Sequence, residues 1–176
     1  MWDVRLETVD GKVWIPMATR GDTEIIEVLN SVLTNELTTI NQYFLHSRMQ
    51  RNWGYRRIAE HYYHESIDEM KHADLLIERV LYLGGLPNLQ RLHTLRIGET
   101  VPEQLEIDRS GEFEAVDVLR AGVALSRERG DIGSAVLLEQ ILVSEEEHID
   151  WLDAQLELIS QLGAANYLTQ QIHEDD

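Results

Sequence analysis

Residues 55–85 read YRRIAEHYYHESIDEMKHADLLIERVLYLGG, and the placement of charge within this stretch decides the fold. Ile58, Tyr62, Leu76, Val80 and Leu83 recur at the three- and four-residue spacing that lines one face of a helix. Glu65, Glu69 and His72 stand in the middle of that same line. Charge on a core-facing stripe is costly unless it is paired, hydrogen-bonded or bound to a metal, so this helix is expected to carry chemistry as well as packing. The Gly84-Gly85 pair ends the pattern.

Toward the N-terminus, GDTEIIEVLNSVLTNELTTINQYFLHSRMQRNWG (residues 21–54) runs from a cap at Asp22 or Thr23 to a stop at Gly54 and reads as a long first helix. Toward the C-terminus, GLPNLQRLHTLRIGET (residues 85–100) lacks sustained periodicity and has the length of a crossover. Thr100 and Glu103 form a capping box around Pro102 and open a third helix that ends near Gly130. A fourth helix runs from about Asp131 to Gly163, and the short amphipathic AANYLTQQIHEDD closes the chain. Four helices of about 30 residues are each about 45 Å long at ~1.5 Å per residue. The expected fold is all-α: a four-helix bundle with one long crossover between helices two and three and a short fifth helix.

Residues 1–16 differ. WDVRLETVDGKVWI alternates apolar and polar around Asp10-Gly11, a β-hairpin signal in a segment that alone would be marginal in water. Met17 offers an alternative start, under which residues 1–16 would be an artefact; both readings stand, with residues 17–176 as the bundle domain.

The 176 residues suit one domain, 43% apolar and 27% charged as in soluble globular proteins. A formal charge of -17 argues against nucleic acid and for cations. Glu78 and Arg79 interrupt the most apolar run, and no stretch of signal-peptide type is present near Asp3, Arg5 and Glu7, so no membrane partner and a cytoplasmic location are expected. Cysteine is absent, which removes disulfides and thiolate ligands.

Counting motifs decides nothing about the charged line: 20 Glu and 7 His would yield roughly 0.8 Glu-x-x-His pairs by chance. Position is more informative. The fourth helix repeats the pattern of the second, with Glu145 and His148 among Leu138, Ile141, Leu152, Leu156 and Ile159. The first helix carries Glu36 among Leu29, Val32, Ile40 and Tyr43, and the third carries Glu112 on the line of Leu105, Asp108, Val116, Leu119 and Val123. Glu36 precedes Glu69 by 33 positions and Glu112 precedes Glu145 by 33, so two helix pairs are related by a shift of 76. A lone helical Glu is ordinarily solvated and a lone core-facing His ordinarily a packing residue. Six core-face placements with one repeated offset outweigh those bland readings. Four buried carboxylates would each cost several kcal/mol without cations. Two divalent metals would neutralise them, and oxygen-rich ligation with one imidazole each suits iron or manganese, with zinc also admissible. The arrangement matches a described di-metal pattern of ferritin-like bundles.

NELTTINQYFLHSRMQRNWG (35–54), YHESIDEMKHAD (63–74), GLPNLQ (85–90) and EEEHIDWL (145–152) closely resemble bacterioferritin, over about residues 17–173. The resemblance implies a ferroxidase centre with Glu36 and His72 on one iron, Glu112 and His148 on the other, and Glu69 and Glu145 bridging. Ferrous ions would be oxidised in pairs by dioxygen or peroxide and stored as ferric mineral. The vessel would be a homo-oligomeric shell of 24 subunits built from dimers, with a reducing ferredoxin-type partner for iron release. Two-metal chemistry of this kind places its ions about 3.5–4 Å apart. The resemblance also makes Met70 the ligand of a haem b shared across a two-fold interface, and associates His64 and Asp68 with iron traffic on the inner surface. Met70 points well away from Glu69 and His72 on the helix and is flanked by Ile67 and Ile77. Two features depart from the family pattern: the N-terminal hairpin, and Gly111 beside Glu112, which costs about 1 kcal/mol of helix propensity relative to Ala. A di-iron peroxide-reducing enzyme of rubrerythrin type and a non-catalytic haem-carrying shell subunit are the competing readings. The first loses its cysteine-bound domain, and the second would be favoured by an incomplete ligand set.

Overall fold

A computed structural model describes residues 7–9, 12–14 and 21–172. Within them, β1 (Glu7–Val9) and β2 (Lys12–Trp14) pair antiparallel, with Thr8 opposite Val13. The Asp10-Gly11 turn, the candidate start at Met17 and His173 onward lie outside the described residues. The helices are α1 (Thr23–Trp53), α2 (Arg56–Tyr82), α3 (Val101–Glu128), α4 (Ile132–Leu162) and α5 (Ala164–Thr169). They form a four-helix bundle with a short C-terminal helix.

Local chemistry sets the boundaries. Asp22 accepts a hydrogen bond from the Glu24 amide at 2.8 Å and starts α1. Gly54, at φ 94°, ends it in a left-handed conformation that a side chain would disfavour. Thr100 Oγ1 accepts from the Glu103 amide at 3.4 Å, while Glu103 Oε2 accepts from the amide of Glu99 at 2.8 Å, one residue before the position a regular capping box would use. Asp131 caps α4 through the Ser134 amide at 3.0 Å, after Gly130 turns the chain at φ 74°.

α1 packs chiefly on α2 and α3 chiefly on α4, and the two hairpins join mainly through α1 and α3. Arg129 at the end of α3 reaches Asp22 at the start of α1, and the Gly21 amide donates to the Leu83 carbonyl at 2.8 Å at the end of α2. The ends of α2 and α3 therefore share one end of the bundle, so the crossover must travel its full length. It does so along a polar rail on α1. Asn30 bonds the Leu86 carbonyl and the Asn88 amide, Thr38 accepts from the His93 amide, Gln42 accepts from the Arg96 amide, and His46 Nε2 accepts from the Gly98 amide. The last contact fixes the His46 tautomer: Nδ1 carries the hydrogen and donates to Asp108 Oδ2 at 2.8 Å, while Gln42 Nε2 donates to Asp108 Oδ1 at 2.6 Å. His46 and Asp108 are almost completely buried, so this network binds crossover, α1 and α3 as one unit.

The apolar interior is split. One cluster holds Ile25, Leu29, Leu33, Leu76, Val80, Leu119, Leu138 and Ile141; the other holds Tyr43, Ile58, Tyr62, Leu105, Leu152 and Tyr167 of α5. Ile40, Val123, Leu156 and Ile159, expected on core lines, are only partly buried against these clusters. Between the two clusters along the helices stand Glu36, Glu69, His72, Glu112, Glu145 and His148.

Candidate metal centre

Each of the four long helices contributes to this polar layer: Glu36 from α1, Glu69 and His72 from α2, Glu112 from α3, Glu145 and His148 from α4. The four carboxylates are 1–2% exposed. His72 Nδ1 lies 3.4 Å from Glu36 Oε2, 3.2 Å from Glu69 Oε2 and 3.3 Å from Glu145 Oε1. His148 Nδ1 lies 3.4 Å from Glu69 Oε1, 3.6 Å from Glu145 Oε2 and 3.9 Å from Glu112 Oε1. Arg79, Arg96, Arg109, Arg120, Arg127 and Arg129 pair with other carboxylates.

Two overlapping groups result. Glu36, Glu69, His72 and Glu145 can bring one donor atom each within 4.8 Å of one another, and so can Glu69, Glu112, Glu145 and His148. Glu69 and Glu145 belong to both. Despite the close approaches, Glu36 Oε2, Glu69 Oε1, both Glu145 oxygens and His148 Nδ1 are buried without a hydrogen-bond partner. Donor atoms thus crowd together without bonding one another, which suits cation ligands and is what buried polar atoms otherwise avoid. The residues therefore fit a pair of divalent ions.

The ferritin-like domain model matches residues 26–162, which spans all six of these side chains. Among curated proteins, the bacterioferritin of Mycolicibacterium paratuberculosis is 52% identical over 151 residues, 86% of this chain and 95% of that protein. Bacterioferritin BfrA of Mycobacterium tuberculosis is 51% identical over the same shares, and the bacterioferritin of Streptomyces coelicolor 49% over 88% of this chain and 93% of its own length. The chain belongs to the bacterioferritins.

In this bacterioferritin the six groups share protons unevenly. Burial, reinforced by the Glu69 carboxylate, raises Glu36 well above the usual carboxylate range. Burial with Glu145 and Glu69 alongside does the same for Glu112. Burial also opposes charge on Glu69, but the neighbouring His148 and His72 imidazoles outweigh it and hold Glu69 well below the ordinary value. Burial opposes charge on the imidazoles too, yet Glu145 and Glu36 push His72 up to about 12, and Glu145 and Glu69 push His148 up to about 11. The two imidazoles thus favour their protonated forms, Glu36 and Glu112 hold protons more tightly than ordinary carboxylates, and incoming cations must displace those protons. Affinity should therefore rise with pH. Calorimetric titration with Zn(II) in buffers of different ionisation enthalpy should report about one to two protons released per ion. Release of none would contradict the assignment.

The outlying residues are placed as follows. Gly111 lies within a continuous α3, and a Cβ there would meet Arg96 Nη2 of the crossover at 3.4 Å. Met70 is 49% exposed on the outer side of α2; Ile67 is half-buried, and Ile77 packs partly against the core. His64 is exposed and lies 3.4 Å from Glu60, and Asp68 pairs with Lys71. Two contacts of the centre had no assigned role in the sequence reading. Tyr43 donates its hydroxyl to Glu112 Oε1, and Glu65 lies against His148 Nε2. Glu65 precedes Glu69 by one turn, and that spacing was the available signal. Among the described residues no helix is long and apolar enough to cross a membrane.

Proposed function

We propose that the protein stores iron and oxidises it on entry, as a ferroxidase. The observation that carries this reading is that Glu69 and Glu145 belong to both donor groups while keeping oxygens free of hydrogen bonds. Such sharing suits two ions held together, not two independent sites. Ferrous iron is the substrate: two ions give one electron each to dioxygen, which takes up two protons and leaves as hydrogen peroxide, or to peroxide, which takes up two protons and leaves as water.

The chain's part is positional and electrostatic. Glu36 and His72 would hold one ion, Glu112 and His148 the other, with Glu69 and Glu145 spanning both. Tyr43, through its hydroxyl, fixes the orientation of the Glu112 carboxylate. Apolar clusters on both sides keep bulk water from the carboxylates and strengthen their pull on cations. Ferric product would collect inside a 24-subunit shell built from dimers. Met70 would supply one ligand to a haem at the dimer two-fold: the residue is half exposed, and one chain offers one thioether where symmetry would supply the second.

Anaerobic loading with Fe(II) followed by oxygen tests the central claim. A fast absorbance rise saturating near two irons per chain is expected, about two following from one ion per donor group. A slow phase proportional to all added iron would remove the catalytic reading.

A further inference from the structure

The His148 imidazole looks two ways. Its Nδ1 faces the central carboxylates, whereas its Nε2 lies against Glu65 Oε2 without hydrogen-bond geometry. Glu65 Oε1 is in turn 3.4 Å from His61 Nε2, which is buried and also lacks a hydrogen-bond partner. Residues 61 and 65 are one turn apart on α2, so they present their side chains together toward His148 on α4. One donor atom from each of the three lies within 4.8 Å of the other two. The His61 ring is held by stacking on Trp151, with centroids 3.7 Å and planes 26° apart. The His148 side chain is only 10% exposed, so its unpartnered Nε2 has little access to water.

We propose that His61 Nε2, Glu65 and His148 Nε2 form an adjoining site for a divalent first-row transition ion, sharing His148 with the centre, a holding position from which the ion passes to the central carboxylates. Two imidazoles and one carboxylate suit Fe(II), Co(II) or Zn(II) better than magnesium or calcium, which favour oxygen alone. That the occupant in use is ferrous iron rests on the function proposed above. His61 is positioned for transfer because it lines both a groove of about 930 Å³, with Glu60 and His64 on its wall, and the small hollow that ends at Glu65 and His148. A neutral imidazole binds an ion on one nitrogen while the other carries hydrogen. His148 therefore serves the two sites in turn. When its Nδ1 is engaged centrally, Nε2–H donates to Glu65, and Glu65 is released as a ligand.

Diffraction at the zinc absorption edge from crystals of the full chain soaked in Zn(II) tests this site without any turnover. A third anomalous peak among His61, Glu65 and His148 is expected at low Zn(II), with an occupancy that falls as the central position held by His148 fills. Glu65→Gln, which keeps the shape of the side chain, and His61→Ala should each abolish that peak and leave the central peaks in place. Central peaks without the third at every Zn(II) concentration of a soak series overturn this proposal alone. A third peak without central ones at any of those concentrations supports it and sinks the two-ion reading, and a third peak that survives both substitutions overturns the ligand assignment.

Discussion

Glu69→Ala should slow the fast phase of Fe(II) oxidation by about 100-fold or more, the scale of loss when reacting partners are no longer held in register. Glu145→Ala should match it, because these two carboxylates are the ones common to both donor groups. Glu36→Ala and Glu112→Ala should behave differently. Each removes a donor from one group only, so anaerobic binding should fall toward about one ion per chain, whereas loss of Glu69 or Glu145 weakens both positions. Stopped-flow absorbance and equilibrium binding on the four variants measure the two quantities separately. Glu69→Ala with a fast phase within about threefold of the parent would remove Glu69 from the centre.

If Met70 holds a haem at a two-fold interface as proposed, Met70→Leu should reduce bound haem from about one per two chains to a trace. Leucine keeps the volume and apolar character of the side chain and removes the sulfur, so dimer packing should survive the change. Iron oxidation should stay within about twofold of the parent, since Met70 is turned by ~100° from Glu69 around α2 and faces outward. Pyridine haemochrome spectra per chain, with size-exclusion mass on the same sample, read both outcomes. Haem retained at parental level would place the axial ligand elsewhere.

The helices were legible because their ends are written in local chemistry: Asp22, Thr100 and Asp131 as caps, Gly54 and Gly130 as stops. The convergence of six ligand-type side chains was legible because the same 33-residue spacing occurs in both halves. The rail that guides the crossover was not. Asn30, Thr38, Gln42 and His46 resemble a solvated helix face, and their partners lie more than 50 residues away in a segment with no periodicity. His46 and Asp108 are buried because each satisfies the other, which spacing along either helix cannot show. Glu65 was visible on the core line, but its nearness to His148 and His61 depends on how α4 docks on α2. Leu156 and Ile159 follow the helical period to the edge of the core, where they are covered only in part.

The donor groups are divided by chain half: the first hairpin supplies Glu36, Glu69 and His72, and the second supplies Glu112, Glu145 and His148. Each half alone holds three of the four donors around one ion and lacks the carboxylate lent by its counterpart. A freestanding pair of identical hairpins, each bearing Glu and then Glu-x-x-His, would assemble the complete centre by rotational symmetry from a segment half this length. Joining two such segments end to end needs a tether as long as the bundle, and only three positions in each half have to match for the donors to meet. The irregular stretch after α2 is what lets a single chain present both triplets of donors to one another.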